Sequence, residues 1–272
     1  MLKFTLIIFL LINTVFSFVF AESEILWFDD AEQGPGKWIK AKTTEITSEK
    51  KQHVFVLMPG DRMFSKEKFT LDNTKKYTLS CDVKSLGKKG NILLGFACFD
   101  KKGNEIPSAA VHYYPGTETT LIKTAYMGDT EIYIADGTKW ETSKWACVAF
   151  DIDSSGEQKD IPNKKLNSLG ITNVSKVDNG WKISLAKPLK KDWQSGTYVR
   201  EHKNFTNRNF VYIQPQMPQK WKNIKGSCQG VARGNPRSGQ WWPGTVEFRI
   251  FFMANILDGK EIYVDNFKLE IE

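Results

Sequence analysis

The sequence predicts an all-β protein, and three observations carry that prediction. Short runs rich in β-branched and aromatic residues follow one another along the chain, several with strict apolar–polar alternation. Gly, Asp, Asn or Pro bounds almost every run, as turns require. No window of useful length shows the three-four spacing of apolar residues that marks a helix. Many short strands with polar turns form a sandwich or a barrel.

Residues 1–21 stand apart from the fold. "MLKFTLIIFLLINTVFSFVFA" has one basic residue, Lys3, then an apolar run, then small-residue spacing at Val19 and Ala21. That is the pattern of a secretory signal peptide cut after Ala21. The run from Phe4 to Phe20 is broken by Asn13 and Ser17, and an anchor helix needs about 20 apolar residues. The expectation is a secreted or periplasmic protein with no stable membrane span after cleavage.

The elements then follow in order. In "KYTLSCDVKSL", Tyr77, Leu79, Cys81 and Val83 alternate with Thr78, Ser80, Asp82 and Lys84, which gives one strand face to a core. "GKKG" turns the chain, and "NILLGFACFD" runs back to a second turn at "KKGNE". "TEIYIADG", "KWACVAFDID", "NGWKISLAK", "TYVREH", "NFVYIQPQ", "TVEFRIFFMAN" and "KEIYVDNFKLEI" continue the series. Residues 122–198 keep a strand–turn rhythm of their own, with Trp140, Trp145, Trp181 and Trp193. They read as a small β subdomain inserted between the two parts of a larger sandwich, 22–121 and 199–272.

The net charge is +7, with lysines scattered through turns as "EKKQ", "GKKG", "DKKG", "NKKL" and "LKKD". Lysines so placed form a solvated rim, with a weak attraction to acidic polymers. Nucleic acid is not an expected partner, because no reading motif is present. The four cysteines, Cys81, Cys98, Cys147 and Cys228, have no zinc-site spacing. Cys81 and Cys98 lie on one apparent hairpin, so they either pair or stay as buried thiols.

The two ends of the mature chain carry a resemblance. "ILWFDDAEQGPGKW" opens it and "EIYVDNFKLEIE" closes it, with "KKYTLSCDVKS" and "GFACFDKKGNEI" between. These segments resemble galactose-binding-like jelly rolls that occur as carbohydrate-binding modules, and also in exported and phage-tail-like proteins. The resemblance covers about 22–121 and 199–272; the insertion is not part of the usual module. It implies a jelly-roll β-sandwich, a polysaccharide or cell-surface glycan as partner, and a structural Ca²⁺ where the first and last strands meet. Glu32 and Asp265 would supply its side-chain oxygens, with Asp30 as a third, since Ca²⁺ takes six to eight hard oxygens. A second acidic run, "DIDSSGEQKDIPN", begins like a calcium loop but has Pro162 where a bidentate Glu is needed, so it reads as a turn.

No catalytic motif is present. "GSCQG" is not a nucleophile elbow, and His53, His112 and His202 have no metal-ligand spacing. The one arrangement with a lyase-like composition is "YVREHKNF", where Arg200 and His202 share a strand face beside Tyr198 and Lys203. The expectation is a non-catalytic protein, with a polysaccharide lyase or glycoside hydrolase as a lesser alternative.

The aromatics point to a ligand. Sugar rings stack their C–H faces on exposed aromatics while amides and charges take the hydroxyls. Nine tryptophans exceed what a core of this size requires. In "QWWPGTVEFRIFF", Val246, Phe248, Ile250 and Phe252 share one face. Carried back, that alternation places Trp242 inside and Trp241 outside, beside Gln240 and Arg237. Tyr114 in "VHYYPG" and Trp221 in "PQMPQKWKN" are further candidates. The expected site is therefore Trp241, Tyr114 and Trp221, with Arg237 and Gln240 as hydrogen-bonding partners. The alternative is an assembly protein in which these aromatics form a protein–protein interface.

Overall fold

The computed structural model describes residues 23–46, 52–204 and 208–272. The expected signal peptide, residues 1–21, lies outside the described residues. Among these residues no helix is long and apolar enough to cross a membrane.

The fold is a sandwich of two antiparallel sheets. The first holds β1 (Glu24–Asp29), β3 (Thr43–Ile46), β4 (Gln52–Leu57), β7 (Lys76–Ser85), β16 (Lys222–Gln229) and β18 (Ile262–Ile271). The second holds β2 (Trp38–Ile39), β5 (Arg62–Ser65), β6 (Phe69–Thr70), β8 (Gly90–Phe99), β15 (Asn209–Gln214) and β17 (Glu247–Ile256). Strand orders are β16-β7-β18-β4-β3, with β1 also on β18, and β15-β8-β17-β5-β2, with β6 also on β17.

Alternation explains the core. Tyr77, Leu79, Cys81 and Val83 of β7 face Phe248, Ile250, Phe252 and Ala254 of β17 through a shared buried cluster. Each fully buried side chain of this size contributes about 1.5–3 kcal/mol. β8 is buried on both faces, from Ile92 to Phe99. Its outer face lies beneath a row of rings, Phe210, Phe251 and Phe64, with centroids 5.8 and 4.9 Å apart. Val246 departs from the expected core face and is exposed, because β17 begins only at Glu247.

A second core runs from Leu121 to Val199, with Ile132, Ile134, Phe150 and Ile183 among its fully buried members. Two three-stranded sheets enclose it. One is β10 (Glu131–Ile134), β13 (Gly180–Leu185) and β12 (Ile171–Val177); the other is β11 (Ala146–Phe150), β14 (Tyr198–Lys203) and β9 (Thr119–Thr120). The sheet thus reaches beyond 122–198 at both ends.

β14 is the seam between this smaller unit and the sandwich. Val199 faces the small core, while His202 bonds α1 (Ser108–Val111), a single helical turn of the sandwich, and Arg200 lies over Tyr113, which follows that turn. Gly234, at φ 85°, brings a sandwich loop so close that a Cβ there would overlap Gln158 of the smaller unit.

All four cysteines are free and buried. Cys81 and Cys98 belong to strands of opposite sheets, so the chain crosses the sandwich at "GKKG" instead of closing a flat hairpin. Burial pushes the Cys98 and Cys147 thiols up to about 12 and raises Cys81 and Cys228 as well.

Candidate ligand-binding cleft

The two adjacent tryptophans have the same fate. Trp241 is 0% and Trp242 2% exposed. The sequence expectation of an outward Trp241 fails because neither residue is on a regular strand. Trp241 makes a lone bridge to Val231, and Pro243 and Gly244 intervene before β17 starts. Off a pleated strand, neighbouring side chains need not point to opposite faces. Trp241 lies edge-on to Tyr77 at 5.4 Å and against Phe96 and Phe248 at 4.7 Å each. Its indole N–H finds no acceptor.

Trp242 instead forms the floor of a cleft of about 270 Å³. Its walls come from His112 after α1, from Lys203 at the end of β14, from Arg208, Asn209, Phe210 and Ile213 in and before β15, and from the loop from Asn235 to Ser238. His112 stands perpendicular to Trp242 at 5.5 Å. Its Nδ1 donates to Asn235 Oδ1 at 3.2 Å, and Asn235 Nδ2 donates to the Tyr113 carbonyl at 3.0 Å, which fixes the amide. Burial, helped by the nearby Lys203 charge and opposed by the Asn235 hydrogen bond, holds His112 below its ordinary value.

The cleft's charges are all positive. Lys203, Arg208 and Arg237 line it, and no Asp or Glu does so among the described residues. Arg208 pairs with Glu105 at 2.9 Å, behind the wall. Half-buried Phe210 and exposed Ile213 give an apolar side.

Of the expected site residues, Arg237 lines this cleft and Gln240 supports it, accepting from the Arg237 backbone N–H at 3.2 Å. Tyr114 adjoins it: the Lys203 ammonium sits 4.5 Å from the Tyr114 ring. Trp221 is exposed but lies elsewhere. It precedes β16, whose other end leads to the cleft loop, and eight strand residues span about 27 Å. Lys203, His112, Asn235 and Trp242 were not legible as one site, because only the fold joins them.

Each carboxylate expected to hold Ca²⁺ has hydrogen-bond partners within the protein. Glu32 turns to His53, accepting from its backbone N–H at 3.0 Å and from Nδ1 at 3.2 Å. Asp265 is buried and accepts from Gln52 and, at 2.7 Å, from the Asn266 N–H. Asp30 accepts from the Glu32 N–H at 3.2 Å. Burial raises Asp265 to about 6, with Asp30 and Asp82 adding to the rise. Among the described residues no three His, Cys, Asp or Glu side chains gather as a metal site. In "DIDSSGEQKDIPN", Asp153 closes a turn, accepting from the Ser155 and Lys159 N–H groups at 3.0 Å each.

Arg200 and His202 do share a face, but it is buried at the seam, at 1% and 0% exposure. Arg200 Nη2 donates to Asp160 at 2.8 Å and Nε to His202 Nε2 at 3.1 Å, and the guanidinium lies over Tyr113 at 4.1 Å. His202 Nδ1 donates to the Ala109 carbonyl at 2.7 Å. Burial and the Arg200 charge push His202 down to about 3. Both ring nitrogens are engaged, and the Nδ1 bond ties β14 to α1.

No protein-family model matches the chain, and no curated protein does. Among solved structures it is similar to the CBM22-1 xylan-binding domain of Xyn10C from Paenibacillus barcinonensis, with 8% identity and a TM-score of 0.36 over 92% of this chain and 95% of that one. It is also similar to a xylan-binding domain of CBM 22, formerly described as an x6b domain. That match has 7% identity and a TM-score of 0.30, over 90% of this chain and 93% of that one. Likenesses at this level carry no argument about a ligand.

Proposed function

We propose that the protein is an exported, non-catalytic glycan-binding protein whose cleft takes an anionic sugar. One observation supports this above others: Lys203, Arg237 and the Glu105-paired Arg208 line a cleft of about 270 Å³ that also offers a fixed amide and an apolar wall, with no lining carboxylate among the described residues. Arg237 and Lys203 would meet a carboxylate or sulfate, for which guanidinium geometry is well suited. Asn235 and Ser238 would serve hydroxyls, and Phe210 the C–H face of a ring. The Arg200–His202 pair, spent on the seam, gives no support to a lyase.

Affinity electrophoresis tests this reading, with the mature chain run through gels holding polygalacturonate or neutral hydroxyethylcellulose. Retardation by polygalacturonate that survives moderate salt is expected. No retardation by either polymer would sink the reading. A second reading, assembly through protein contacts, is favoured by β1, where Ile25, Leu26 and Phe28 are 56%, 39% and 41% exposed. Sedimentation showing an oligomer that ignores both polymers would select it.

A further inference from the structure

We infer that the smaller β unit supplies a second stretch of the same glycan site, built around Trp145, so that the ligand is a chain of sugars crossing the seam; this rests on the anionic-glycan reading. The starting point is an exposure that packing does not explain. Trp27, Trp38, Trp140, Trp241 and Trp242 are buried, whereas Trp145 is 55% exposed. A buried tryptophan removes about 150–250 Å² from water, so half a ring left open forfeits much of that gain.

The backbone at Trp145 is tied to the end of β14. The Trp145 N–H donates to Ser143 Oγ at 3.2 Å, and its carbonyl accepts from the Asn204 N–H at 2.8 Å. One residue on, Ala146 pairs with Lys203 across β11 and β14. Trp145 therefore sits beside the Lys203–Asn204 step. Lys203 lines the cationic cleft, while Asn204 lines a different cavity of about 530 Å³. Arg208 lines both.

The chemistry of the second cavity suits sugar hydroxyls. Asn167 and Ser168 contribute an amide and a hydroxyl, and Leu166 and Leu169 contribute apolar wall. Its one carboxylate, Glu105, is paired with Arg208 and presents no free charge to a ligand. The Lys144 ammonium stands 5.2 Å from the Trp145 ring centroid, adding a cation at the outer end. Ligand pockets commonly measure about 300–1,000 Å³. The cleft alone is therefore small, and the second cavity gives a polymer somewhere to continue. An exposed aromatic whose backbone bonds Asn204, a residue of the second cavity, together with the cations of the cleft, fits an acidic polysaccharide bound along its length.

The test measures binding of digalacturonate and hexagalacturonate by calorimetry, with folding of each variant checked by circular dichroism. In the wild type the hexamer should bind more tightly than the dimer. Trp145→Ala should lower the hexamer-to-dimer affinity ratio about tenfold, the effect of one aromatic anchor. Ser168→Trp, which fills the cavity, should lower the same ratio. Arg237→Ala should weaken both probes and leave the ratio alone. A ratio unchanged in Trp145→Ala and in Ser168→Trp, with Arg237→Ala still weakening both probes, would overturn the inference and leave the cleft standing. Failure of the wild type to bind either probe would overturn the cleft reading and this inference with it.

Discussion

Trp241 gives the sharpest test of the structure, because burial and exposure predict opposite results for one substitution. Trp241→Ala removes a fully buried indole that touches Tyr77, Phe96 and Phe248. Large-to-small changes of this kind cost about 3–5 kcal/mol, against a total stability of about 5–15 kcal/mol for an ordinary domain. Trp241→Phe separates size from polarity. It keeps a ring among the other rings and removes the indole N–H that lacks an acceptor. Such a buried orphan costs about 1–3 kcal/mol, which offsets much of the lost packing. Trp241→Phe should therefore fall within about 1.5 kcal/mol of wild type. Guanidinium denaturation followed by fluorescence and circular dichroism measures both, with polygalacturonate retardation run alongside. Trp241→Ala should shift the midpoint strongly, while Trp241→Phe retains binding. Trp241→Ala with wild-type stability and lost binding would refute the reasoning, since that is how an exposed stacking ring behaves.

Four further predictions follow from buried groups. Burial raises the Glu201 carboxyl from 4.5 to about 7, so the folded state holds a proton that the unfolded state has lost. Stability should then fall as pH rises from about 4.5 to 7, by up to about 3 kcal/mol. Glu201→Gln should flatten that slope, and an identical slope in the variant would show that Glu201 does not set it. Arg200→Met leaves Asp160 without its cation and should cost about 3–5 kcal/mol in thermal or chemical unfolding; a loss below about 1 kcal/mol would mean the pair is not buried at the seam. None of the four thiols should react with a disulfide reagent in the native protein, and all four should react on unfolding; fewer than four would reveal a disulfide. Melting in Ca²⁺ and in chelator should coincide, and a higher melting temperature in Ca²⁺ would mean that Asp265 and its neighbours rearrange around the ion.

The strands were legible wherever alternation was long and uninterrupted. β7 and β17 show in the structure the faces their sequences announce, from Tyr77 to Val83 and from Phe248 to Phe252. Legibility ended where the pleat ended. Carrying the β17 pattern back across Pro243 and Gly244 assigned Trp241 to solvent, although the chain there obeys no period of two. The shared face of Arg200 and His202 was legible from spacing, but not its burial, because the cover is a helical turn about 90 residues earlier in the chain. The cleft was partly legible through Arg237 and Gln240, whose polar loop carries the right chemistry. His112, Lys203 and Trp242 were beyond reach, since each looks ordinary until tertiary structure sets them together.

The central claim is that a particular cleft, and not general basicity, holds an anionic glycan. Polygalacturonate affinity electrophoresis of Arg237→Ala beside Lys88→Ala tests it most directly. Each variant removes one exposed charge, Arg237 at the cleft and Lys88 in the turn between β7 and β8. The account predicts that Arg237→Ala loses most of its retardation while Lys88→Ala migrates like the wild type. Equal small losses in both variants would contradict it, because only diffuse surface charge would then be at work.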